Sequence, residues 1–214
     1  MIRPVLMVLL IAGVPAGLAA AVAVPPVPEN RLAPDDPAWT RLAGQLAGER
    51  AITADFTEER HFSFRKEPAV LRGEVRLSSE RGLSLHYLGP EEQTVIIDRK
   101  GSLVRTAAGD RAVPEDPRAS AANFALIHLL RLDLAPLAQA FELYGRRVDG
   151  DWAIVLVPRE DSLRRTLGEI TVEGSGPAVS RIELRRSATQ RVEIRVATPR
   201  TGAFSAEELR QYFR

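Results

Sequence analysis

Leu71-Arg72-Gly73-Glu74-Val75-Arg76-Leu77 alternates apolar with charged residues, and Leu83-Ser84-Leu85-His86-Tyr87 repeats the alternation after a short polar break. Thr94-Val95-Ile96-Ile97-Asp98 follows, and Lys100-Gly101 then supplies a turn before Leu103-Val104. Successive side chains on a strand point to opposite faces, so a period of two builds a sheet with one apolar and one polar face. Upstream, Ile52, Ala54 and Phe56 alternate with Thr53, Asp55 and Thr57 in the same way. Turn residues recurring roughly every 8 to 12 positions connect such strands as antiparallel neighbours.

The pattern returns in the last third of the chain. Phe141 to Val148 leads through Asp149-Gly150-Asp151 into Trp152 to Val157, and an Asp-Gly pair is a strong hairpin signal. Leu167 to Val172 follows, with a turn at Gly174 to Pro177. Arg181 to Arg185 and Arg191 to Val196 form the final pair, whose outward Arg and Glu residues predict charge pairing across strands.

Short helices frame these strands. Asp36 before Pro37 makes a helix start, Trp39, Leu42, Ala43 and Leu46 share one face, and Gly48 is a stop, giving a helix over about 37 to 48. Ser120 is placed to cap a helix running from Asn123 to Leu130, and a second piece, Leu134 to Ala140, follows Asp133. Ser205 with Glu208 is a capping box and Phe204 with Leu209 a hydrophobic staple, predicting a last helix over 206 to 213.

Residues 1–23 read as a signal peptide: Arg3, an apolar run from Val5 to Ala12, then small residues up to Ala23. Ala19-Ala20-Ala21 and Ala21-Val22-Ala23 are competing cleavage sites, and the second is favoured. Residues 24–35, with four prolines, read as an extended leader, and 36–214 as one domain. The absence of cysteine excludes an acylated N-terminal cysteine, disulfides and thiol chemistry. Beyond Arg3 the chain carries 28 Lys and Arg against 28 Asp and Glu, which argues against a nucleic-acid partner.

Catalytic and metal signatures are missing as well. His61, His86 and His128 lack ligand spacing, and Gly174-Ser175-Gly176 is a turn rather than a nucleophile elbow, so neither metal nor cofactor is expected. Glu58 and Glu59 are neighbours on a strand and point to opposite faces, so one of them hydrogen-bonded and the other solvated, Glu58 with Glu59 or the reverse, is expected in place of an acid–base pair. His86, alternating with Leu85 and Tyr87, should face solvent. About nine to eleven strands with one apolar face tend to curl. The expected fold is therefore mainly β with α: an unclosed antiparallel β-barrel with short helices as a lid over an apolar cavity.

Ala54-Asp55-Phe56-Thr57-Glu58-Glu59-Arg60 resembles the opening strand of the outer-membrane lipoprotein carrier family (LolA-like). Gly73-x-Val75-x-Leu77, Gly82-Leu83-x-Leu85 and the segment Gly89-Pro90 to Asp98 are similar to the strands that follow in that family. In motif terms the resemblance covers 51 to 107, and in order of elements nearly all of the mature chain. It implies a periplasmic monomer that takes acyl chains of a lipoprotein or glycolipid from an inner-membrane exporter towards an outer-membrane acceptor. The family places Arg-Pro after its second strand, an arginine that ties the lid shut; here Ser78-Ser79-Glu80-Arg81-Gly82 lacks the proline, marking a divergent branch.

Expected acyl-binding residues are Phe56, Leu77 and Leu85 on the sheet with Phe124, Ile127 and Leu130 on the lid. Arg81 and His128 are the candidate lid latch. Acyl chains bind through about 0.8 kcal/mol per buried CH₂, which needs no catalytic signature. A lipid-sensing module of the same fold, without transport, is the alternative.

Overall fold

The computed structural model describes residues 31–33, 35–47, 51–114 and 117–214. The signal peptide, most of the leader and Gly48 lie outside the described residues. After α1 (Pro37–Ala47) comes a meander of β1 (Ala51–His61), β2 (Ala69–Ser78), β3 (Gly82–Leu88), β4 (Gln93–Asp98), β5 (Gly101–Thr106) and β6 (Gly109–Ala112). Two helices, α2 (Pro117–Leu130) and α3 (Leu134–Ala140), then lead to β7 (Phe141–Val148) and β8 (Asp151–Pro158). The chain continues through α4 (Asp161–Leu167), β9 (Glu169–Ser175), β10 (Ala178–Ser187), β11 (Gln190–Val196), β12 (Arg200–Gly202) and α5 (Ala206–Tyr212).

All twelve strands join one antiparallel sheet in the order β6-β5-β4-β3-β2-β1-β11-β10-β9-β8-β7, with β12 also on β1. β1 carries the connection. One edge pairs with β2 from Ala51↔Ser78 to Arg60↔Ala69, while the other pairs with β11 from Phe56↔Val196 to His61↔Arg191 and with β12 from Ala51↔Gly202 to Thr53↔Arg200. β6 and β7 end the path without meeting, so the barrel is unclosed. At the β7 edge, Leu32 N–H donates to the Leu143 carbonyl at 2.8 Å and Arg31 bridges Tyr144, which blunts an otherwise open strand.

The concave face is the core. Val75, Leu77, Leu83, Leu85, Val95 and Ile97 supply one half, and Ile154, Leu156, Ile170, Val172 and Ile182 the other, all buried in one cluster. Two glycines let aromatic rings lie flat on this face. A Cβ on Gly174 would stand 2.2 Å from the Trp152 ring, and one on Gly73 would stand 2.7 Å from Phe56. The Asp149-Gly150 turn has positive φ at both positions (51° and 91°), the geometry its sequence requires.

Two different devices cover the convex face. Between β10 and β11 the directly opposed residues carry like charges, Arg181↔Arg195 and Glu183↔Glu193, so the ion pairs there run along strands and diagonally, whereas Arg181 stands directly opposite Glu173 of β9. Arg181 contacts Glu173 (3.2 Å), Glu193 (3.2 Å) and Glu183, and Arg195 reaches Glu59 at 3.2 Å. The hydrogen bond and charge of Glu193 hold Arg181 well above its ordinary pKa.

Over β2 to β5 the cover is α5. The capping box is complete: Glu208 N–H donates to Ser205 Oγ at 3.2 Å and Ser205 N–H to Glu208 Oε2 at 2.8 Å. Arg105 donates to the carbonyls of Arg210, Gln211 and Phe213 (2.9, 2.7 and 3.1 Å), satisfying groups a helix end leaves open. Arg214 grips both oxygens of Asp98 at 2.6 and 2.7 Å, and that hydrogen bonding lowers the Asp98 pKa. Phe213 is buried against Phe204 (5.2 Å), and Tyr212 lies under the Arg76 guanidinium at 3.5 Å.

This docking corrects the reading of His86. The residue does point to the convex side, yet it is buried, because Tyr212 packs on its ring (5.4 Å) and Thr94 and Glu92 bond its nitrogens at 3.1 and 3.3 Å. Three boundaries also differ. α2 begins at Pro117, which puts Ser120 inside the helix; Leu167 ends α4 instead of opening β9; and β6 and β12 bring the strands to twelve.

Gly174→Ala should lower stability by about 1–3 kcal/mol through overpacking against Trp152. Gly44→Ala, at an exposed helical site with no atom within 4 Å, should raise it by roughly 0.5–1 kcal/mol. Urea unfolding followed by tryptophan fluorescence reads both, and equal midpoints for the two variants would contradict the packing described.

Candidate functional site

A twisted apolar sheet face needs a cover, and α2 with α3 supplies it. Ala122, Ala125, Leu126 and Leu129 of α2 and Leu134 and Leu137 of α3 are buried in the same cluster as the concave strands. Alanines at two of these positions let the helix approach the sheet closely. Polar ties between cover and sheet are few: Asn123 Nδ2 donates to Ser102 Oγ at 2.9 Å, and Arg131 Nη2 donates to the Ser78 carbonyl at 2.7 Å.

Where the end of α2 meets the sheet, a small apolar cavity of about 30 Å³ remains. Ile52, Ala54, Val75 and Leu77 line one side, Leu130 comes from α2, and Pro177 to Val179 come from the β9–β10 turn. A single water needs about 10–15 Å³ by the same measure. Among the described residues this part of the hollow is therefore nearly filled by side chains, and the cavity is too small for an acyl chain with α2 in this position.

The sequence-derived residues divide accordingly. Phe56, Leu77 and Leu85 are buried on the concave face. Leu77 and Leu130 face each other across the cavity, and Ile127 packs half-buried on the core. Phe124 is 36% exposed and its ring packs at a tilt against His128, with centroids 4.4 Å apart. His128 Nδ1 lies 3.1 Å from Asp133 Oδ2, a contact made inside the α2–α3 turn. Arg81 donates to the carbonyl of Arg214 at 3.5 Å, towards the C-terminus. The tie from α2 to the end of β2 is made by Arg131, which sequence reasoning passed over; a backbone-carbonyl partner leaves no trace in sequence.

One polar group interrupts the apolar face. Glu58, 3% exposed, accepts from Tyr87 Oη at 2.8 Å and from Arg60 Nε, while Phe56 meets Tyr87 edge-on at 5.3 Å. Glu59, on the other face, pairs with Arg195. Burial, and then the Glu58 charge, push the Tyr87 phenol well above its ordinary value, with Arg60 opposing. Among the described residues, no group of three His, Asp or Glu side chains could hold a metal ion, and no helix is long and apolar enough to cross a membrane.

Compared with solved structures, the chain is similar to a DUF1329 family protein from Desulfovibrio piger, with a TM-score of 0.46 and 9% identity over 80% of this chain and 95% of that one. It is also similar to a LolA superfamily protein from Nitrosomonas europaea, with a TM-score of 0.42 and 6% identity over 80% and 95%. LprF from Mycobacterium bovis is a third, with a TM-score of 0.31 and 10% identity over 80% and 96%. No protein-family model matches the sequence, and no curated protein does.

Tyr87 should stay protonated above pH 10 in the folded protein, because its folded pKa is raised. In the unfolded chain it ionises near 10, so its contribution to stability is complete below that pH and is lost as pH rises beyond it. Phenolate absorbance of the protein against Tyr87→Phe measures this. A Tyr87 signal titrating near 10 before unfolding would contradict its enclosure.

Proposed function

We propose that the chain is a periplasmic carrier that holds acyl chains of a lipoprotein or glycolipid between the concave sheet face and α2. On this reading residues 1–23 direct export, and an inner-membrane exporter and an outer-membrane acceptor are the partners. The observation that carries it is a largely apolar face whose helical cover is held by non-directional contacts and few polar ties.

The magnitudes permit exchange. A 16-carbon chain gains on the order of 12 kcal/mol at about 0.8 kcal/mol per CH₂. Lifting Leu126, Ile127, Leu129 and Leu130 from the sheet costs on the order of 6–12 kcal/mol at about 1.5–3 each, and part of that is recovered against the ligand. Leu77 and Leu130 mark where the seam starts to open. Arg131 on the Ser78 carbonyl is the tie that must be released.

Titration with a fluorescent fatty acid tests the proposal. Leu130→Glu should weaken binding by at least about tenfold, the charge being costly in an apolar seam. Arg131→Ala should speed uptake. Wild-type binding by Leu130→Glu, with its fold intact by circular dichroism, would overturn the reading.

A further inference from the structure

At the barrel end opposite the cavity, the β1–β2 turn projects Phe64 into solvent above a half-buried Phe62. Phe64 is 78% exposed and stacks on Phe62 with ring centroids 5.3 Å apart. Arg65 N–H donates to the Phe62 carbonyl at 3.2 Å, so the pair sits on a closed turn rather than a loose loop. Val70 and Leu88 are exposed on the adjoining ends of β2 and β3, so three of the five exposed large apolar side chains among the described residues share this end.

The charge around the pair is cationic. Arg65 and Lys66 follow Phe64 directly, against the single acid Glu67. Beside them in the sheet stands the β10–β11 turn: His61 is the register partner of Arg191, and Arg191 that of Arg185, with Arg186 next to it. Arg65, Lys66, Arg186 and Arg191 form no ion pair among the described residues, whereas Arg185 is committed to Glu183. On the other side, the β3–β4 turn carries Glu91 and Glu92, the latter engaged with His86, which confines the cationic surface to the β1–β2 and β10–β11 tips.

We infer that this end is a docking surface for an anionic lipid membrane, with Phe64 and Phe62 entering the interface and Arg65, Lys66, Arg186 and Arg191 facing lipid phosphates. Exposed aromatic rings flanked by unpaired cations fit the apolar-to-anionic layering of a bilayer surface. An acidic protein would satisfy the charges but gives no reason for the Phe64 ring to stand in water at the apex. The inference is independent of what the cavity holds.

Co-sedimentation of the exported chain with phosphatidylcholine vesicles, with and without phosphatidylglycerol, tests it. The protein should sediment with the anionic vesicles only, and less as salt rises. Phe64→Ser should weaken this about tenfold, the loss of one inserted phenylalanine. Arg65→Glu with Lys66→Glu should abolish the preference for anionic lipid. Val148→Ser, which removes an exposed valine at the opposite end, should change nothing. No sedimentation with anionic vesicles would overturn the inference and leave a protein partner as the occupant, and equal binding by Phe64→Ser would overturn it as well.

Discussion

β1 is hydrogen-bonded along both of its edges, to β2 on one and to β11 and then β12 on the other, and among the described residues no other strand pairing joins the two meanders. Its residues therefore serve two halves at once. Ala54 and Phe56 face the concave core of both, and Glu59 meets the charged network of the second half across Arg195. Because the outer strands β6 and β7 do not meet, the curvature set at β1 decides how wide the hollow is. The ring of Phe56 over Gly73 shows how tightly that curvature is packed.

From this constraint follows the division of labour between the faces. The convex side is secured by directional contacts: the Arg181 and Glu193 network on one half, and α5 with Arg214 on Asp98 and Arg105 on the helix carbonyls on the other. The concave side is covered by α2 and α3 chiefly through apolar burial, with Arg131 and Asn123 as its polar ties to the sheet. Directional bonds break at a cost of specific partners, whereas apolar contacts exchange one hydrocarbon for another at little net loss. A shell tied by directional bonds outside and covered by apolar contacts inside suits the proposed holding of acyl chains.

Much of the sheet was legible because it obeys a period of two. Leu71 to Leu77, Leu83 to Tyr87 and the Asp149-Gly150 hairpin behave as their patterns require. The elements that escaped have no pattern to read. β6 and β12 are short and wholly exposed, so nothing alternates, and α4 presents only Leu163 and Leu167 at helical spacing. The apolar run of α2 surrounds the helix, so its period did not reveal that Phe124 lies on the outer side with His128. The burial of His86 depends on Tyr212, remote in sequence, and the Arg131 tie depends on a backbone carbonyl. Tertiary contacts of this kind leave no local mark.

The proposed carrier role depends on hydrocarbon entering between α2 and the concave face. Native mass spectrometry of the protein purified from a bacterial periplasm, with extraction of whatever accompanies it, addresses this most directly. A bound species bearing acyl chains is expected, and the protein should take up an added acyl probe once stripped. A protein that emerges empty and ignores added acyl probes would contradict that role, and the concave face would then be an ordinary packed core.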